Sequence, residues 1–307
     1  MLLKPIYKNF INYLGGKHRN LIYENINNNI NYFNCTGLVN DKEYRYIRKQ
    51  YIKDNIFVSD IVDSNDNVIL KHKLDGNNII SYEDPRMINE YEFSLSVSRY
   101  NSNVKFYDKV SVGKYNINTN ELKIYKTQNN LYEKNWQFLD NGNILYSLDP
   151  FIILNNNEEI IYNKQYDFSE WINRYGDIRL STNPFVINNK KYILFHSAFF
   201  RNKLEIYYYN GLMQLNDDYT PYGYYINPFC YDDKDYDGFN YVQQLYEWKK
   251  QYDEFAKMVY VKFLMNVCVS DRNVIIYGGK YDCDVLKIII PINEFENELR
   301  NKYFIFL

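Results

Sequence analysis

Glu83-Asp84-Pro85-Arg86 places two adjacent carboxylates next to a guanidinium, and Lys134-Asn135-Trp136 sets an ammonium, an amide and an indole in a row. Carboxyl groups move protons to and from a substrate when burial or a neighbouring acid raises the pKa of one of them. Cations clamp hydroxyls or phosphate, amides bind hydroxyls, and aromatic rings stack on the C–H face of a sugar. Asn34, Arg48, Tyr146, His196 and Tyr207 add another amide, cation, imidazole and rings at scattered positions. Such a set suits a carbohydrate. Each residue also has a purely structural alternative. Asp84 could organise the turn before Pro85, and Arg86 could simply pair with Glu83 or Asp84. Lys134 and Asn135 could form a solvated turn, Trp136 could be a core ring, and His196 ends an apolar strand. Tyr207 is one of 35 tyrosines.

Strands must position these groups. Glu92-Phe-Ser-Leu-Ser-Val-Ser, Lys105-Phe-Tyr-Asp-Lys-Val-Ser-Val and Lys191-Tyr-Ile-Leu-Phe-His show the period-2 pattern of half-buried strands. Turn formers such as Asn65-Asp-Asn, Asp140-Asn-Gly-Asn and Asn188-Asn-Lys separate the strands. A polar cluster followed by a turn and a strand recurs from residues 34, 83, 134 and 182, at intervals of 49, 51 and 48 residues. A fifth copy begins near 265, after a Tyr- and Asp-rich insertion at 215–257. Units of about 50 residues with about four strands are blades, and five of them predict a single all-β domain, a five-bladed β-propeller. The alternative is a β-sandwich with accidental spacing. In a propeller, equivalent positions of successive blades face one mouth, so the scattered clusters are expected to converge on one concave site. Helical periodicity predicts a helix from about Tyr241 to Lys257, inside the insertion, and a short one near Asn293–Leu299. Residues 1–30 are expected to close the ring or pack beneath it.

Composition narrows the classes. Of 307 residues, 36 are Lys or Arg and 38 Asp or Glu, so no strong basic field exists for a nucleic-acid partner. The Asn, Ile, Lys and Tyr excess reads as the bias of an AT-rich genome and carries no functional weight. Cys35, Cys230, Cys268 and Cys283 show no C-x-x-C spacing and there are only three His, so neither a metal site nor a cofactor is expected. Asp232-Asp-Lys-Asp-Tyr-Asp-Gly lacks the twelfth-position Glu of a calcium loop and reads as a solvated loop. No apolar run marks a leader or a membrane span, which predicts a soluble, cytoplasmic chain without a membrane partner. Within it, the insertion is expected to be a lid, a rim or a dimer contact.

The motifs themselves resemble a known family. Glu83-Asp84-Pro85-Arg86 followed by Lys134-Asn135-Trp136 looks like the five-bladed propellers of glycoside hydrolase family 130, which include mannoside phosphorylases, hydrolases and related β-1,2-mannosyltransferases. Asn34 through Arg48 is similar to the family's first-blade motif and Tyr146-Ser-Leu-Asp-Pro150 to its third. Thr182-Asn-Pro184 through His196-Ser197 is similar to its fourth, and Tyr277-Gly278 with Asp282 to its fifth. The resemblance implies an inverting glycosyl-transfer enzyme acting on mannose-type glycosides. Asp84 would be the general acid beside Glu83. Asn34, Arg48, Arg86, Lys134, Asn135, Trp136, Ser147, Thr182, His196, Tyr207 and Asp282 would bind a sugar or glycan, with a sugar phosphate or nucleotide sugar as a further partner. Two departures matter. Tyr146-Ser147 stands where the phosphorylases show His-Arg, which removes a phosphate clamp, so transfer from an activated donor is expected rather than phosphorolysis. One extra residue precedes Asp282. The competing reading is a glycan- or nucleotide-binding propeller without turnover, or a structural one.

Overall fold

In a computed structural model of the chain, the described residues are 30–39, 42–53, 56–63, 65–101, 106–126, 133–201, 205–229, 257–260, 262–280 and 284–307. They form five sheets, the blades of a five-bladed β-propeller, and fall into two compact units divided between Lys164 and Gln165.

The first unit holds three blades. Blade 1 is β1 (Ile30–Val39), β2 (Lys42–Lys53), β3 (Ile56–Asp63) and β4 (Val68–Leu70), in that order. Blade 2 is β5 (Lys73–Asp75), β6 (Asn78–Met87), β7 (Glu92–Asn101), β8 (Phe106–Asn116) and β9 (Glu121–Ile124). Blade 3 is β10 (Gln137–Phe138), β11 (Ile144–Leu148), β12 (Phe151–Leu154) and β13 (Ile160–Lys164). Every neighbouring pair is antiparallel and sequential. Alternation explains how blade 2 is covered on both sides. Phe93, Leu95 and Val97 of β7 point one way and pack with Tyr82 and Tyr115 onto Tyr46, Ile61 and Leu70 of blade 1. Val112 of β8 lies on the opposite face, against Trp136, Ile144 and Leu154 of blade 3. His72, between β4 and β5, is tied to blade 1 by Asp60 of β3. Asp60 Oδ1 accepts the His72 backbone N–H at 2.6 Å and lies 2.8 Å from the ring Nδ1, with both residues buried.

The second unit holds two blades. Blade 4 contains β14 (Asp177–Leu180), β15 (Phe185–Ile187), β16 (Lys190–Arg201), β17 (Glu205–Leu215), β18 (Pro221–Tyr225), β19 (Lys257–Tyr260) and, last in the chain, β23 (Phe304–Phe306). Blade 5 is β20 (Lys262–Val269), β21 (Asn273–Lys280) and β22 (Asp284–Pro291). Phe185, Leu194 and Leu212 of blade 4 share a core with Leu264, Ile276 and Ile288 of blade 5. Two helices are seen among the described residues. α1 (Ser169–Tyr175) has no periodic sequence signal, being short and fixed by one residue: Trp171 is buried against Phe195 and Tyr224. α2 (Ile292–Arg300) is the short helix expected near Asn293, and it buries Phe295 and Leu299.

The segment read as inserted, 215–257, opens with β18, which pairs with β17 and β23 and so belongs to blade 4. The helix expected at Tyr241–Lys257, the loop at Asp232 and the first 29 residues lie outside the described residues. Between β15 and β16, Asn188 and Asn189 take φ of 47° and 62°, the left-handed pair of a type I′ hairpin. Gly211 of β17 faces Phe195 across the strand pair, and a Cβ there would fall inside the buried Phe195 ring. Gly211→Ala should therefore cost about 2 kcal/mol or more, read as a lowered midpoint in urea at unchanged m-value. An unchanged midpoint would show that the ring can shift aside.

Candidate active site

In β6 a bulge creates the acidic turn. Glu83 lies opposite Ser96 and Arg86 opposite Ser94, so β6 carries one residue more than β7 between the two pairs. Regular alternation would send positions 83 and 86 to opposite faces; the extra residue returns them to the same one. Asp84 absorbs the irregularity at φ 52°, a left-handed conformation that Asp and Asn tolerate better than other side chains. Pro85, which has no N–H to donate to a ladder, is accommodated at the bulge. The turn-forming alternative for Asp84 is thus correct as far as it goes, and the same turn delivers its carboxylate to a site.

Three cations meet the two carboxylates. Arg48 Nη1, from β2, lies 3.1 Å from Asp84 Oδ1 and 3.4 Å from Glu83 Oε2. Lys134 Nζ is 3.7 Å from the same Glu83 oxygen, and its side chain is 45% exposed against 7% for Glu83. Arg86 is buried, donating to the Asp84 carbonyl at 3.3 Å and to Asn135 Oδ1 at 2.7 Å. Asn135 is itself left-handed, at φ 66°. The cluster carries one more positive than negative charge, with Lys134 at its open side. Both carboxylate oxygens reach one guanidinium nitrogen, so they lie no more than about 6.5 Å apart, the bottom of the ~6.5–9.5 Å range in which inverting hydrolases seat a water.

The electrostatics reverse one expectation. Burial pushes the Asp84 carboxyl up, but the charges of Arg48, Arg86 and Lys134 and the Arg48 hydrogen bond outweigh it. Asp84 is held below the ordinary aspartate value, not raised by Glu83. A carboxylate whose pKa is depressed on folding adds stability above its unfolded pKa and loses it as pH falls through the folded one. The thermal advantage of the wild type over Asp84→Asn should therefore be constant above about pH 5 and shrink progressively as pH falls below about 4. A gap that does not shrink there would mean that the ion pairs add nothing to stability.

Trp136 is a core ring, 1% exposed, so it is not a sugar platform. Its Nε1 donates to Glu133 Oε2 at 3.2 Å, and the Tyr146 hydroxyl donates to Glu133 Oε1 at 2.7 Å. Glu133 was not singled out from sequence; its place three residues before Trp136 was the available signal. Ser147 is half-buried in β11, next to a bulge at Tyr146.

Thr182, His196 and Tyr207 belong to the second unit. Thr182 is fully buried and its hydroxyl accepts the Leu194 backbone N–H at 3.0 Å. His196 is 2% exposed, with Nδ1 2.8 Å from Ser181 Oγ and its ring between Tyr208 and Phe263. Tyr207 is half-buried in β17. Asn34 lies in β1, but its side chain falls outside the described residues, as does the whole of Asp282. Among the described residues no cluster of His, Cys, Asp or Glu could hold a metal ion, and no helix is long and apolar enough to cross a membrane.

The blades define the class, a five-bladed β-propeller of the kind found in glycoside hydrolase family 130. No family model and no curated protein matches the chain in sequence. Solved structures do match it. The β-1,2-mannobiose phosphorylase of Listeria innocua, in complex with β-1,2-mannobiose, has 16% identity and a TM-score of 0.50, over 84% of this chain and 70% of that one. MPT-1, a GDP-Man-dependent mannosyltransferase of Leishmania mexicana, has 13% identity and a TM-score of 0.52 over 86% of each chain. A glycosyl hydrolase of Bacteroides ovatus has 11% identity and a TM-score of 0.51, over 85% of this chain and 84% of that one. At these identities the likeness establishes the fold.

Proposed function

We propose that the chain is an inverting glycosyl-transfer enzyme acting on mannose-type glycosides, with Asp84 as general acid and a sugar hydroxyl, not water, as acceptor. The observation that carries this reading is the acidic pair gathered on one guanidinium. One oxygen of each carboxylate lies within about 6.5 Å of the other, at or below the lower end of the ~6.5–9.5 Å separation at which an inverting hydrolase seats its attacking water, which favours a sugar acceptor. In a single displacement the acceptor oxygen attacks the anomeric carbon from one face while the bond to the leaving oxygen breaks on the other. Asp84 gives that oxygen its proton, directly or through a sugar hydroxyl, and the acceptor hydroxyl releases its own proton to solvent as its bond to the anomeric carbon forms. Arg48 and Lys134 suit the anionic group of an activated donor. That anion offsets the charges that keep Asp84 ionised, so the acid takes up its proton as the donor arrives. Solved propellers of the same fold include a mannoside phosphorylase and a GDP-Man-dependent mannosyltransferase, which supports mannose as the sugar.

The test is a screen of nucleotide sugars and sugar-1-phosphates, read by thermal shift and by product detection, with β-1,2-mannobiose plus inorganic phosphate as a separate arm. Transfer from an activated mannosyl donor is the expected result, with negligible phosphorolysis at millimolar phosphate because Ser147 offers one neutral donor where an Arg clamp would stand. Efficient, phosphate-dependent release of mannose-1-phosphate would overturn the choice of acceptor and assign the phosphate to Arg48, Arg86 and Lys134. Ligand binding without turnover in any arm would replace the enzyme with a glycan-binding propeller.

A further inference from the structure

Glu133 does not touch the acidic pair, yet the loop that completes the cluster is fastened around it. Its backbone N–H donates to Val110 O at 2.9 Å, tying the start of the loop to β8. Its carboxylate is buried and receives two donors from different elements: Trp136 Nε1, three residues on, and the Tyr146 hydroxyl from the bulge of β11. Between these anchors stand Lys134 and Asn135. Asn135 is further held by the side-chain amide of Gln137, which donates to its carbonyl at 2.9 Å. The left-handed Asn135 tolerates its φ locally, but its place in the site is fixed by contacts around it. Here the surroundings are Glu133, Trp136, Tyr146 and Gln137. The chain of contacts runs on from Asn135 Oδ1 to Arg86 and from Arg86 to the Asp84 carbonyl.

We propose that Glu133 is a positioning residue for the acid site, its carboxylate fixing the 133–136 loop so that Asn135 holds Arg86 against Asp84 and Lys134 stays beside Glu83. Tyr146 then has a role of its own, as the second donor that orients Glu133. The inference deepens the functional reading above, and its consequence for turnover rests on that reading; the titration of Asp84 does not. Groups that bear on Asp84 are Arg48 from β2, Glu83 and Arg86 from β6, and Lys134 from the loop.

Two variants separate position from charge. Glu133→Gln and Glu133→Ala both remove the negative charge, so any through-space effect on Asp84 is common to them. Gln keeps the size of Glu, accepts from Trp136 Nε1 with its oxygen and donates to the Tyr146 oxygen with its amide; Ala does neither. The experiment follows the Asp84 side-chain carboxyl by carbon NMR across pH in the full chain, assigned through Asp84→Asn. In Glu133→Gln, Asp84 should titrate at or slightly below its wild-type midpoint, since only the through-space charge is lost. Glu133→Ala should move it upward toward the ordinary aspartate range, and Tyr146→Phe, which removes one donor, should move it part of the way. If the glycosyl-transfer reading holds, Glu133→Ala should also lower kcat by about 10²-fold with a smaller change in KM. A folded Glu133→Ala whose Asp84 titrates as in the wild type would overturn the proposal, as would a Gln variant displaced as far as the Ala variant. If the Ala variant does not fold, Tyr146→Phe decides: an unmoved Asp84 there overturns it. Failure to find a sugar donor sinks the functional reading and leaves these outcomes standing.

Discussion

Asp84→Asn is expected to abolish glycosyl transfer while leaving donor binding within a few-fold of wild type. General-acid assistance is worth about 10²–10⁴-fold in rate, and the amide cannot supply the proton. It keeps the size of the side chain and an oxygen that can still accept from Arg48, so the loss should fall on kcat rather than on KM. Removing the carboxylate leaves Arg48, Arg86 and Lys134 facing Glu83 alone, which raises the positive excess of the cluster and should tighten the hold on an anionic donor. The two effects are measured separately, by initial rates at saturating donor and by calorimetric titration of the same donor. An Asn variant that turns over within ten-fold of wild type would remove Asp84 from the chemistry. One that loses binding and rate together would make it a binding residue.

The largest effect on stability is expected at Asp60. Its Oδ1 answers both the His72 backbone N–H and the His72 ring nitrogen, at 2.6 and 2.8 Å, where the chain passes from blade 1 to blade 2. Neither residue is more than 8% exposed, so water does not replace the carboxylate when it is removed. Leaving a buried donor without its acceptor costs about 1–3 kcal/mol, and Asp60→Ala withdraws the partner of both the backbone N–H and the ring nitrogen, which for a chain of this size lowers Tm by roughly 5–10 °C. Asp60→Ala should show that loss in urea or thermal unfolding. Asp60→Asn, which keeps an acceptor for the backbone N–H, should recover a large part of it. A loss below about 1 kcal/mol in the Ala variant would mean that the contact is no stronger than an average hydrogen bond.

The architecture was legible because it repeats. Four polar clusters at near-equal spacing and a fifth after the insertion identify blades even where individual strands are ambiguous, and the Phe93-Leu95-Val97 alternation marks the face of β7 that packs on blade 1. Arg48, Glu83, Asp84, Arg86, Lys134 and Asn135 were also recoverable by type, and the structure brings all six together. What sequence could not give was their geometry. The bulge at Asp84 and the left-handed Asn135 are decided by cross-strand register and by distant partners, not by local propensity. The direction of the Asp84 shift was misread for the same reason: Glu83 is its neighbour in sequence, whereas the charges that prevail arrive from 36, 2 and 50 positions away. The burial of Trp136 and Thr182 is set by packing between strands that residue type and spacing do not record. α1 went unseen because a single buried tryptophan is no periodicity.

The extra residue in β6 also bears on how such a site could be lost over generations. Deleting one codon at position 85 would restore a plain ladder between β6 and β7, with Asp84 and Arg86 joined directly. The hydrophobic faces of blade 2 on either side would keep their partners and Arg86 would stay opposite Ser94 on the face of Glu83, while Asp84, drawn into the ladder opposite Leu95, would turn its carboxylate to the other face. The sheet survives such an event far better than the chemistry does. A lineage could in this way retain the whole propeller as a scaffold for another use after a single in-frame deletion, and the length of this one turn would tell the two kinds of descendant apart.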